Sequence, residues 1–171
     1  TGAAKQFCCR KLAMIGTVKA VPTLEPLLAN KDLSHMARYA LERIPGEEVS
    51  KALRDAAGKL TGPLKIGMIN SLGARRDAGS AAMLTGLLKD SDAQVASATA
   101  AALGRIGTKD AIGPLMGYLA SAPKQTKAAA YDATLELATS LIGTDKAAAA
   151  AIFEKLYAPD RPIRVRCAAL K

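Results

Sequence analysis

Apolar residues recur along this chain at spacings of three and four, and no stretch alternates in the manner of a strand, so the pattern predicts helices throughout. The clearest stretch opens at Ser91-Asp92-Ala93-Gln94-Val95 and runs through alanines to Leu103-Gly104-Arg105-Ile106-Gly107-Thr108. A second run follows, with Ala111, Ile112, Leu115, Tyr118 and Leu119 at helical spacing. Leu103 has counterparts at Leu12, Leu41 and Leu72, in steps of 29, 31 and 31 residues. Ile15-Gly16-Thr17 repeats Ile106-Gly107-Thr108, and Val21, Leu24, Leu27 and Leu28 repeat the second run.

Each repeat therefore reads as helix, short turn, helix, with approximate bounds 1–30, 31–60, 61–90, 91–122 and 123–158 and a partial sixth over 159–171. The fifth carries about one extra helical turn before Ile142-Gly143-Thr144. Glycines at 16, 46, 73, 107 and 143 are expected to end first helices in left-handed caps. Ser91-Asp92, Ala122-Pro123 and Ala158-Pro159-Asp160 are expected to open the next ones. Units of this length cannot bury a core alone and share one by stacking. The expected fold is all-α: a right-handed α-α superhelix of about five helix pairs plus a truncated sixth, in one continuous domain from 1 to 171. The period passes unbroken through Gly62-Pro63, so no boundary is placed there. The chain opens on Thr1-Gly2 and stops on Ala169-Leu170-Lys171 within a helical pattern, which reads as a piece of a longer chain and leaves the compartment open.

The residues Asp92-x-x-Val95, the Ala98–Ala102 run, Leu103-Gly104-x-Ile106-Gly107 and Ala111-Ile112-x-x-Leu115 resemble HEAT repeats, in the short bacterial variety also found in phycobilin lyases. Asp160-Arg161-Pro162-Ile163-Arg164-Val165-Arg166-Cys167-Ala168-Ala169 is similar to the opening of such a repeat. The resemblance spans the chain and implies an interaction scaffold more than any one activity. It also implies a ladder of aspartates and arginines between repeats, with Asp160 and Arg164 or Arg166 as members. Two catalytic relatives can be set aside residue by residue. HEAT-like deoxyhypusine hydroxylases bind iron through several His-Glu pairs, whereas His35 is the single histidine here and precedes Met36. HEAT-like DNA glycosylases use tryptophan, which this chain lacks. A phycobilin-lyase-like or chaperone-like role remains as an alternative, with no bilin pocket identified.

Composition narrows the chemistry further. Half of the 171 residues are apolar, but aromatics are only 4%, so the core is built from leucine and small side chains. No stretch approaches the ~20 apolar residues of a spanning helix, so no membrane is expected as a partner. Three cysteines, Cys8, Cys9 and Cys167, leave one without a disulfide partner and read as small core or boundary residues. No phosphate loop, CxxC pair, acid–base carboxylate pair or Ser-His-acid set emerges, so no enzyme activity, cofactor or metal is expected.

Net charge +9 raises nucleic acid as a partner, but the excess is spread evenly over the chain. In such repeats the second helix lines the concave face. Its outward rows read Glu25, Arg54, Thr85 and Met116; Pro26, Asp55, Gly86 and Gly117; Pro22, Lys51, Ala82 and Gly113. Lys51 and Arg54 are offset by Glu25 and Asp55, while Gly86, Met116 and Gly117 suit a close apolar contact. Lys51, Arg54, Asp55, Thr85, Gly86, Met116 and Gly117 are therefore the expected binding residues, for a peptide or a neighbouring domain of the same chain. Most arginines fall on first helices and turns, including Arg38, Arg75, Arg76, Arg105 and Arg164. They carry the alternative reading, a nucleic-acid-binding repeat protein, although a solvated outer face with ion pairs inside repeats accounts for them. Arg75-Arg76-Asp77 replaces the Ile-Gly-Thr turn and is expected to be a plain polar turn.

Overall fold

The computed structural model describes residues 2–170, and among these every regular element is a helix. The helices are α1 (Gly2–Ile15), α2 (Val21–Leu24), α3 (Ser34–Leu41), α4 (Glu47–Lys59), α5 (Gly62–Ala74), α6 (Ala81–Leu87), α7 (Ala93–Ile106), α8 (Ile112–Ser121), α9 (Lys127–Leu141), α10 (Lys146–Tyr157) and α11 (Ile163–Ala169), with short 3-10 helices at Val18–Ala20, Glu25–Ala29, Ala78–Ser80 and Lys109–Ala111. The expected all-α, HEAT-like helix pairs are thus present, and the fifth turn falls at 142–145. The residues group into two compact units, one ending at Asp77 and one beginning at Ala78.

In the first unit α1 packs on α3, α3 on α5, and α4 on α5. In the second, α7 packs on α9, α9 on α11, and α6, α8 and α10 flank them. The repeat register carries directly into burial. Leu41, Leu72 and Leu103 are buried at the same position of three first helices, and Leu24, Leu53, Leu84 and Leu115 at one position of the second helices. A leucine so placed contributes about 2 kcal/mol by leaving water, which is what makes the period worth keeping.

Helix ends follow local chemistry, with several departures from expectation. Asp92 caps α7 as expected, its Oδ1 accepting from the Gln94 N–H at 2.8 Å. Gly107 ends α7 in the left-handed region at φ 73°. Gly16, Gly73 and Gly143 are not left-handed, so the expected set of caps reduces at the helix ends to Gly107. Gly46 does have a positive φ, but it stands at the start of α4. The register partner of Gly107 in the third repeat is Arg76, which adopts φ 51° without being glycine. The turn geometry is imposed by the repeat and accepted there by an arginine at a steric cost of about 1 kcal/mol.

Other small residues differ from expectation for reasons of packing. Cys9 is buried, but Cys8 and Cys167 are exposed, so the cysteines are not uniformly core residues. In the alanine run of α10 only Ala149 is buried, because a single face of that helix meets α9. An Asp–Arg rung between first helices exists, but Arg164 donates to Asp132 of α9 at 3.1 Å rather than to Asp160. Asp160 lies 3.5 Å from Arg161 instead.

Asp145 was not anticipated. Its carboxylate accepts from the Ala148 N–H at 2.9 Å, capping α10, and pairs with Lys109 at 2.8 Å. The Lys109 hydrogen bond, with help from the Ala148 amide, holds the Asp145 carboxyl below its ordinary value of 3.8. A carboxylate with a depressed folded pKa stabilises the fold fully above its unfolded pKa, and that stabilisation is lost as pH falls through the folded pKa. Asp145→Asn should therefore flatten the acid limb of stability. Urea midpoints from about pH 5 to about pH 2 should fall less for the variant than for the parent, and equal falls would count against this role.

Candidate functional site

The seven expected binding residues lie on three helices. Lys51, Arg54 and Asp55 sit on α4 in the first unit, and Thr85, Gly86, Met116 and Gly117 on α6 and α8 in the second. The α4 charges are engaged within the protein. Lys51 pairs with Asp55 one turn on at 2.7 Å, and this hydrogen bond raises the lysine pKa and lowers that of the aspartate. Arg54 donates to Asp77 at 2.7 Å and also bonds Glu47, so its guanidinium ties α4 to the turn after α5. Burial works against the Arg54 charge, but these hydrogen bonds outweigh it and raise its pKa. Each of the three is thus held in an ion pair within the protein.

The second unit is different. Between α6 and α8 lies a groove of about 420 Å³, lined by Thr85, Leu88 and Lys89 on one side and Pro114, Gly117, Tyr118 and Ser121 on the other. Two expected residues, Thr85 and Gly117, line it; Gly86 is exposed beside it, and Met116 is half-buried outside its lining. Sequence reasoning missed Leu88, Lys89, Pro114, Tyr118 and Ser121. The signal was present, since each stands three or four residues from Thr85 or Gly117, or adjoins Gly117, and helical neighbours at those spacings share a face. The groove is large enough for side chains, because ligand pockets run from about 300 Å³ upward. A groove in the first unit that contains Glu25 is only about 120 Å³, too small by the same measure.

The glycines on these helices stand in open space, as Gly58 on α4 does. A Cβ built on Gly86, Gly113 or Gly117 would meet nothing within 4 Å. At two other helical glycines packing leaves no room for a side chain. A Cβ at Gly104 would stand 2.5 Å from the Ala133 carbonyl oxygen, and one at Gly67 would stand 2.8 Å from Arg38 Nε.

Several basic residues of the outer-face reading make internal contacts, while Arg76 and Arg105 are exposed. Arg38 Nη1 donates to the Gly67 carbonyl and to Ser71 Oγ, both at 3.3 Å, and burial lowers its pKa. Arg75 reaches across to the α3–α4 turn, where Nη1 donates to the carbonyls of Leu41 at 2.7 Å and Ile44 at 2.6 Å and Nη2 to that of Gly46 at 3.1 Å. The Arg75-Arg76-Asp77 turn is thus an internal junction and not merely a polar turn. Lys127 Nζ donates to the last carbonyls of α8, those of Leu119 at 2.5 Å and Ala120 at 3.1 Å. These residues keep their charge, but their donors are turned toward acceptors within the protein and away from an incoming phosphate.

Among the described residues no group of three or more His, Cys, Asp or Glu side chains is placed to hold a metal. No helix among them is long and apolar enough to cross a membrane. Residues 61–134, from the start of α5 into α9, match the family model of HEAT repeats. No curated protein matches the chain. HEAT repeats generally serve as scaffolds for protein interaction and are typically non-catalytic. The repeat register in the sequence, the helix pairs and this match agree: residues 61–134 are HEAT repeats, which supports a HEAT-repeat protein.

Proposed function

We propose that this protein is a non-catalytic interaction scaffold whose α6–α8 groove holds an extended peptide or a segment of a neighbouring domain. The observation that carries this reading is Gly117, which lines the groove from the interior of α8 with open space where a side chain would be. Glycine in a helix interior costs about 1 kcal/mol relative to alanine. Internal packing gives no return on that cost here, whereas an incoming chain that approaches the helix backbone closely does. Leu88, Pro114 and the Tyr118 ring supply apolar contact area in the groove, and Lys89 is its one charged lining residue. Binding is therefore dominated by apolar contact and should tolerate salt.

The test uses a displayed library of short apolar peptides, selected on the intact chain and then measured against two variants. Gly117→Ala should raise stability by about 1 kcal/mol while weakening peptide affinity. Gly117→Arg should abolish capture without lowering the unfolding midpoint, since nothing in the protein opposes the new side chain. If both variants bind as the parent does, the binding face lies elsewhere.

A further inference from the structure

We infer that the segment held between α6 and α8 carries a glutamate or aspartate side chain, whose carboxylate is taken by Lys89 and the Tyr118 hydroxyl. The inference rests on the groove being the binding site, as proposed above, and concerns the chemistry of its occupant. Lys89 and Tyr118 both line the groove, one from just past the end of α6 and the other from α8.

The first observation is a cation without a counterion. Lys89 is exposed, is the one charged residue of the lining, and has no ion-pair partner among the described residues. Asp90, the next residue, is turned to the chain that follows, its Oδ1 accepting from the Asp92 N–H at 2.9 Å.

The second observation is a buried donor without an acceptor. Tyr118 is 8% exposed, and its hydroxyl is buried with no hydrogen-bond partner among the described residues. A hydroxyl taken from water without a partner is unfavourable, and native interiors seldom leave one so. The other α8 hydroxyl in the groove is already used, because Ser121 Oγ donates to the Gly117 carbonyl at 3.0 Å.

One ligand group answers both. An ionised carboxylate only accepts hydrogen bonds, and its two oxygens can take one donor each. It brings the negative charge that Lys89 lacks and the acceptor that Tyr118 lacks. An ammonium would be repelled by Lys89, and a neutral amide would leave that charge unmatched. Leu88 and Pro114 supply the apolar contact, and the open space at Gly117 admits the main chain. The carboxylate decides which segment is held.

Short synthetic apolar peptides, acetylated and amidated so that neither end is charged, test this by calorimetric titration of the intact chain. Their central residue is glutamate, glutamine or lysine. The glutamate peptide should bind about tenfold more tightly than the glutamine peptide, since hydrogen bonds to a charged group exceed those between neutral ones. Lys89→Glu should reverse the order and favour the lysine peptide. Tyr118→Phe should reduce the preference for glutamate without lowering the unfolding midpoint, because no internal hydrogen bond is lost. Equal binding of the glutamate and glutamine peptides overturns the inference but leaves the groove reading in place, provided Gly117→Arg abolishes both. A glutamate preference unchanged in Lys89→Glu or in Tyr118→Phe overturns it as well. A peptide that binds Gly117→Arg as it binds the parent sits elsewhere, which removes the groove reading and this inference together, and so does binding by none of them.

Discussion

Replacing Arg75 by alanine is expected to lower the stability of the first unit by about 3 kcal/mol, because hydrogen bonds from a charged donor are worth roughly 1.5–3 kcal/mol and one guanidinium here serves several acceptors. The acceptors explain the size of the effect. Leu41 and Ile44 lie at and just beyond the end of α3, where backbone carbonyls have no partner within the helix. The Glu42 carbonyl is 3.4 Å from Nη1, and Ser50 Oγ is 3.3 Å from Nε. A cation at a helix C-terminus also meets the negative end of the helix dipole. Burial disfavours the arginine charge and lowers its pKa, opposed by the nearby carboxylates, of which Asp77 is the strongest. That cost is already met in the native state, so the alanine variant loses the bonds and leaves carbonyls unsatisfied. Arg75→Lys should recover little, since an ammonium cannot reproduce the spread of the guanidinium fork. Urea unfolding followed by circular dichroism measures this. A shift in stability under about 0.5 kcal/mol, typical of a neutral surface change, would refute the junction role.

The second large effect is expected at Gly104. In an open helix, alanine in place of glycine gains about 1 kcal/mol. At Gly104 the new Cβ would stand 2.5 Å from the Ala133 carbonyl oxygen and 3.2 Å from its carbonyl carbon, both backbone atoms of α9. Neither can rotate away, so α7 and α9 must separate. Overpacking of this kind costs roughly 1–3 kcal/mol for alanine, and valine should exceed it. Ser140 Oγ, which donates to the Gly104 carbonyl at 3.2 Å, would lose its geometry as well. The same substitution at Gly117 should stabilise. Opposite signs for Gly104→Ala and Gly117→Ala, read from thermal midpoints, distinguish a glycine required by helix packing from one that serves something outside the chain. Equal signs would remove that distinction, and with it the observation that supports the α6–α8 groove.

Both positions bear on how far the candidate site could be read in advance. Gly104 and Gly117 look alike in sequence, since each sits in an apolar helical run. The α9 backbone against one and open space beside the other become visible only when neighbouring helices are placed. Thr85 and Gly117, which line the α6–α8 groove, belong to two rows of the second helix that follow from the period. Arg54 was found by the same rule, yet its reach to Asp77 removes it from the free surface, because a long side chain can leave the row its Cα belongs to.

The sequence by itself determined the helices, the register and the core. Spacings of three and four with a period near 31 put Leu53, Leu84 and Leu115 at one buried position, because a helix repeats its face regularly and burial of apolar area rewards that repetition. The tertiary structure decided which polar groups are spent inside the protein and which face outward. The deciding contacts join residues about one repeat apart: Arg38 to Ser71 across 33 positions, Arg75 to Leu41 across 34, and Arg164 to Asp132 across 32. Local pattern fixes the direction of a side chain, but distance across a helix interface depends on how closely the backbones approach. That approach is set by small residues such as Gly67 and Gly104, whose effect no single repeat contains.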